Sequence, residues 1–235
     1  MSYRSLDPEA ILSTVDALTA RIHRGFPNTG LGAVATELQQ VSREVRNLVM
    51  WLGKPLPWVR AVVGIGLFLL LAGMVGALLK IPVSSQTPGV SDVLQGIDSG
   101  VNDVVFIGVA VFFLFTIETR VKRNRAFKSL HTLRSLAHII DMHQLKKDPE
   151  QLSDGGAIAT QEPVYTADQL ARYLDHCGDM LALLSKLAAL HVQQFNDGAT
   201  LAVVQEVEDL AHDLLRNIWQ KIVIIDRLHG NTPHL

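Results

Sequence analysis

Charge is scarce in this chain. Asp, Glu, Lys and Arg make up 19% of its 235 residues, against about 25% in ordinary soluble domains, and they leave a formal net charge of −2. With no excess of cations to neutralise phosphates, the chain as a whole does not read as a nucleic-acid binder. A single cysteine excludes a disulfide framework. P-loop, Rossmann, zinc-protease and serine-hydrolase patterns are missing, so neither an enzymatic residue set nor a cofactor is expected. Hydrophobic residues, in contrast, reach 48%, which excludes a disordered chain because enough apolar surface exists to offset the entropy of ordering.

Polar residues are missing above all from one place. Ala61 to Leu79 is a run of 19 residues with no charge, amide or hydroxyl, and at 1.5 Å per residue it nearly crosses the ~30 Å hydrocarbon layer of a bilayer. Trp51 and Trp58 fall near one interface, and Arg60 and Lys80 can snorkel to headgroups. A second, shorter run, Val104 to Ile117, has Thr116 as its one polar residue, and extending it to Val101 brings Asn102 and Asp103 to the far interface. The expected architecture is all-α: a two-span transmembrane hairpin (58–81 and 101–118) joined by an extracytoplasmic loop (82–100), with a cytoplasmic multi-helix bundle.

Orientation follows from the flanks. The 82–100 connection has no Lys or Arg and carries Asp92 and Asp98, whereas Arg120, Lys122, Arg123, Arg125 and Lys128 follow the second span closely. The positive-inside rule then places both termini in the cytoplasm of a plasma membrane, the bacterial inner membrane. The first 57 residues show no signal-peptide pattern. On a helix those five cations point in widely different directions, a collar suited to anionic lipid and not a face that reads a nucleic-acid groove.

Helical periodicity fills the rest. In 1–57, Asp7-Pro8-Glu9 is a helix start, followed by Ile11, Val15, Leu18 and Ile22. After a break at Phe26–Gly30, a heptad-like seam runs through Val34, Leu38, Val41, Val45, Leu48 and Leu52. The second span is expected to continue as a basic juxtamembrane helix over 119–147, followed by a linker over 148–165. Within 166–235, Thr166 and Gln169 form a capping box opening the seam Leu170, Leu174, Cys177, Leu181, Leu184, Ala188, His191 and Phe195. Asn196-Asp197-Gly198 turns the chain into an antiparallel helix with Val204, Val207, Ala211, Leu214, Ile218 and Ile225.

The nine histidines invite a metal-site reading. Five histidine–acid pairs stand one helical turn apart, but about 3.6 arise by chance at this composition on the facing-pair rule, so no metal is expected. The most composed polar patch is an arc of His131, Arg134, His138 and Asp141, opposite Leu133, Leu136 and Ile140. It reads either as a solvated or register-fixing face or as a sensing or partner site that responds near neutral pH. Cys177 falls in an apolar seam, as an inert core thiol does. In the first span Ala72/Gly76 and Gly73/Ala77 are small residues four apart, a spacing that lets membrane helices approach closely, with the second span or with the first span of another copy. Together these features read as a non-enzymatic integral membrane protein. Its cytoplasmic helices bind or organise an unidentified protein partner, as a homo-oligomer. The alternative is an oligomeric channel or membrane-perturbing effector gated by the bundle, although few polar groups are available to line a pore.

Overall fold

Residues 5–79, 90–145 and 165–228 are described in the computed structural model, and every regular element among them is an α-helix. The helices are α1 (Pro8–Gly25), α2 (Gly30–Leu52), α3 (Pro57–Leu79), α4 (Val90–Leu145), α5 (Ala167–Gln194) and α6 (Gly198–Leu228). The local start signals act as their chemistry requires. The Asp7 carboxylate accepts from the Glu9 amide with Pro8 in the first turn, and Thr166 and Gln169 complete a reciprocal capping box. Between α1 and α2 the chain turns through Asn28 at φ 57°, a left-handed conformation that asparagine tolerates better than most side chains.

The chain divides into two compact units, 1–53 with 123–235, and 54–122. In the first unit, α1, α2, α5, α6 and the C-terminal part of α4 bury one apolar core. Residue pairings fix the helix directions. Arg46 Nε donates to Glu9 at 2.7 Å and Gln39 Nε2 to Asp16 at 2.7 Å, so α1 and α2 are antiparallel. The Leu6 backbone exchanges hydrogen bonds with Gln193 and Arg21 donates to Asp179, so α1 and α5 are antiparallel as well. Arg123–Asp197, Arg134–Glu206 and Lys221–Gln144 contacts place α6 alongside α4 in the same direction. Helix α5 is enclosed by its neighbours. Besides the expected seam it buries Tyr173, Met180, Leu183, Leu187 and Leu190, because a helix packed on several sides needs more than one apolar stripe.

Two expectations about the elements are corrected. In α2 the seam passes through Val49, which is buried, and not through Leu48, which is half-buried. A straight helix at 3.6 residues per turn drifts off a strict heptad, and packing here follows the helix. The loop expected over 82–100 is already helical from Val90, where Val90, Leu94, Ile97 and Val101 recur at helical spacing. Residues 82–89 and 148–164 lie outside the described residues.

The second unit contains α3 and the N-terminal part of α4. Among the described residues one helical stretch, within Gly30–Gly73, is long and apolar enough to cross a membrane, with a mean hydropathy of 1.9 over its most apolar 18 residues, which are 14% buried; α3 supplies its apolar residues. Val62, Ile65, Phe68, Leu71 and Val75 of α3 are 47–70% exposed, and Val105, Val109, Phe112 and Phe113 of α4 are 57–73% exposed. Soluble monomers rarely expose contiguous apolar patches beyond a few hundred Å², and here both helices leave a row of large apolar side chains open.

Candidate functional site

One group of polar side chains sits where α4 enters the bundle. Asp197 opens α6 as its N-cap, since its carboxylate accepts from the Thr200 amide and hydroxyl, each at 3.0 Å. The same carboxylate receives a two-pronged contact from Arg123, Nε at 2.9 Å and Nη2 at 2.6 Å. Those hydrogen bonds from the guanidinium, with those from Thr200, hold the Asp197 carboxyl below its usual range, although burial works in the opposite direction. Two residues on, the Arg125 guanidinium lies over the Trp51 ring, 4.3 Å from its centroid. Lys128 follows one turn later, at the edge of a shallow groove of about 260 Å³ floored by Val41, Val45 and Leu48.

Beside that groove, Ser129 ties α4 to α5. His191 is fully buried, and its Nδ1 lies 3.1 Å from the Leu187 carbonyl and 3.2 Å from that of Ala188. Carbonyls only accept, so Nδ1 carries the proton, and Nε2 accepts from the Ser129 hydroxyl at 3.0 Å. Burial pushes the His191 pKa down, against the two backbone hydrogen bonds, and the imidazole is held neutral.

The five cations expected to contact lipid are therefore not equivalent. Lys122 is 8% exposed and pairs with Glu118 at 2.9 Å, and Arg123 is committed to Asp197. Each of the two already has a carboxylate partner, Lys122 as a buried side chain and Arg123 as a partly exposed one. Arg120, Arg125 and Lys128 remain exposed.

The polar arc is not drawn together into one site. His131, Arg134 and His138 are exposed, while Leu133, Leu136 and Ile140 opposite them are buried, as expected. Arg134 reaches α6, donating to Glu206 at 3.3 Å, and Asp141 accepts from Gln144 Nε2 at 2.6 Å. In α3, Ala72 and Gly73 are exposed, and a Cβ placed on Gly73 would meet nothing within 4 Å. Among the described residues, then, none packs on Gly73; Gly76 and Ala77 lie on the following turn of α3.

A second cluster contains one of the five histidine–acid pairs, His176 with Asp179, and adds Asp175, which no helical-turn spacing from His176 picks out. Donor atoms of Asp175, His176 and Asp179 lie within 4.8 Å of one another, a set that could ligate a cation. Arg21 already brings positive charge there, 3.3 Å from Asp179. Burial, with a smaller contribution from Arg21, lowers the His176 pKa against the pull of Asp175 and Asp179. The imidazole packs edge-on against Phe26, and its Nδ1 is buried without a hydrogen-bond partner among the described residues. Cys177, beside it, is fully buried, and burial pushes its thiol up to about 12, so it is not a nucleophile.

Sequence reasoning missed Asp197 as a charge partner, Ser129 as the ligand of His191, and Trp51 as the platform of Arg125. Asp197 left a signal, since an Asp before Gly at a helix start is a cap candidate. The other two depend on which helices are neighbours. No family model, no curated protein and no solved structure matches this chain.

Proposed function

We propose that this chain is a membrane-anchored helical adaptor, without enzymatic activity, whose bundle binds a protein partner while the chain is assembled as a homo-oligomer. In this reading α3 and the 101–118 part of α4 cross a bacterial inner membrane as a hairpin, with both termini in the cytoplasm. The observation that carries it is the contrast between the units: large apolar side chains are exposed along 62–75 and 105–113, while their counterparts in the bundle form a buried core. Lipid tails are the solvent that such an exposed surface suits.

The bundle's outer surface supports the adaptor reading. On α4, Ile139, Met142 and Leu145 are 43–62% exposed beside His138, a mixed apolar and polar strip of the kind that binds partners. The open space around Gly64, Gly66 and Gly73 supports contact between copies. Thr116 donates to the Phe112 carbonyl of its own helix, which leaves the expected pore with little polar lining and favours the adaptor over the channel. Purification in mild detergent with mass measurement tests the reading: several copies with a co-purifying protein are expected, and a lone monomer overturns it. Reporter fusions within 82–100 that are active only outside the cytoplasm are expected, and ion flux in liposomes would replace the adaptor by the channel.

A further inference from the structure

We infer that Arg125, stacked on Trp51 and assisted by Lys128, is a built ligand for the headgroup phosphate of an anionic phospholipid. The inference rests on the membrane reading above and adds a defined contact to it. At 100° per residue along α4, Lys122 and Arg123 fall on the side of the buried Ala126, Leu130 and Leu133, where Glu118 and Asp197 neutralise them. Arg125 and Lys128 fall about 60° apart on the opposite side and are exposed. Within the bundle part of α4, then, the two open cations of this stretch share one side, and Arg120, also exposed, belongs to the 54–122 unit.

The Trp51 contact makes one of these cations more than a point charge. A guanidinium held 4.3 Å over a ring by cation–π attraction still has N–H groups to offer, and their fork matches two phosphate oxygens at once. Stacking also removes rotamer freedom before the ligand arrives, which lowers the cost of binding. Lys128 supplies the second positive charge one helical turn away. Free phosphate offers the same oxygens, but the chain that carries this surface also exposes apolar residues along α3 and α4, and a lipid is the phosphate source such a chain meets.

The test uses the full chain in nanodiscs of phosphatidylcholine alone or mixed with phosphatidylglycerol, counting phosphatidylglycerol retained per chain by native mass spectrometry. At about 1 kcal/mol per cation, R125Q/K128Q is expected to reduce retention roughly 25-fold. W51L and R125K keep the charge but lose the stacked fork, and each is expected to cost about twofold, less than the removal of a charge. R24Q, an exposed cation elsewhere in the bundle, should leave retention unchanged, and circular dichroism in phosphatidylcholine discs checks that each variant is folded. Equal retention by wild type and R125Q/K128Q overturns the inference. Full wild-type retention in R125K and W51L together overturns the stacked ligand, and displacement of the lipid by inorganic phosphate overturns the lipid source. Failure of the wild-type chain to stay with membranes after carbonate washing overturns the membrane reading itself.

Discussion

Asp197 concentrates several roles in one carboxylate: it caps α6, fixes Thr200 and receives Arg123. Asp197→Ala removes both the cap and a charged hydrogen-bond acceptor and is expected to destabilise the bundle by about 2 kcal/mol, measured by chemical denaturation; a change below the error of that measurement would show the contact to be incidental. Because Arg123 lowers this carboxyl's pKa in the folded state, the stability it contributes is present above its ordinary value of 3.8 and is lost as pH falls below it. His191 acts in a higher window. Its folded pKa is lowered from 6.5, so the unfolded chain takes up the proton first, and stability should decline as pH drops below 6.5. Ser129→Ala leaves Nε2 buried without its donor and is expected to cost about 1–3 kcal/mol, by the same denaturation assay. At this scale the sequence discloses what is local. The Asp7 and Thr166 caps need residues two or three apart, whereas Arg123 finds Asp197 across 74 positions and Ser129 finds His191 across 62. No spacing rule reaches across such separations, which close only when the helices pack.

Among the elements, α2 and α4 separate what periodicity can tell from what it cannot. Apolar spacing predicts that both are helices and which broad side is buried. It misplaces the seam by one residue near the end of α2, because the neighbours of Leu48 and Val49 are set by α1, α4 and α5 together. The two positions make a direct comparison. Val49 is 1% exposed, and Val49→Ala is expected to cost about 2 kcal/mol; Leu48→Ala, at the groove, should cost less than half of that despite removing the larger side chain. Thermal denaturation that ranks them the other way would return the seam to Leu48. The start of α4 was hidden for a different reason. The stretch 90–100 lacks cations and carries glycines, so it reads as a loop on composition, although Val90, Leu94 and Ile97 keep the helical period.

For the molecule as a whole, chain order and structural order differ. The bundle is assembled from 1–53 and 123–235, with 54–122 inserted between them as a separate unit. The charge distribution follows the same division: 61–79 has no charged residue, 119–147 has eight Lys and Arg against one Asp, and 148–235 has thirteen acids against five cations. If the bundle's stability resides in its own core, the inserted unit is dispensable for folding. The geometry of the insertion point makes this testable. Trp51 and Arg125 touch, at 4.3 Å, so the cut ends at Gly53 and Arg123 are each two residues from a contact. An eight-residue Gly/Ser linker, with a mean span of about 15 Å, can join them. The chain with 54–122 replaced by this linker is expected to be water-soluble, to keep its helical circular dichroism, and to unfold in one cooperative transition, since α1, α2, α5, α6 and residues 130–140 of α4 retain their buried contacts. Non-cooperative melting or aggregation would show instead that residues 54–122 hold the two halves of the bundle in register, and that the adaptor folds only with its membrane unit attached.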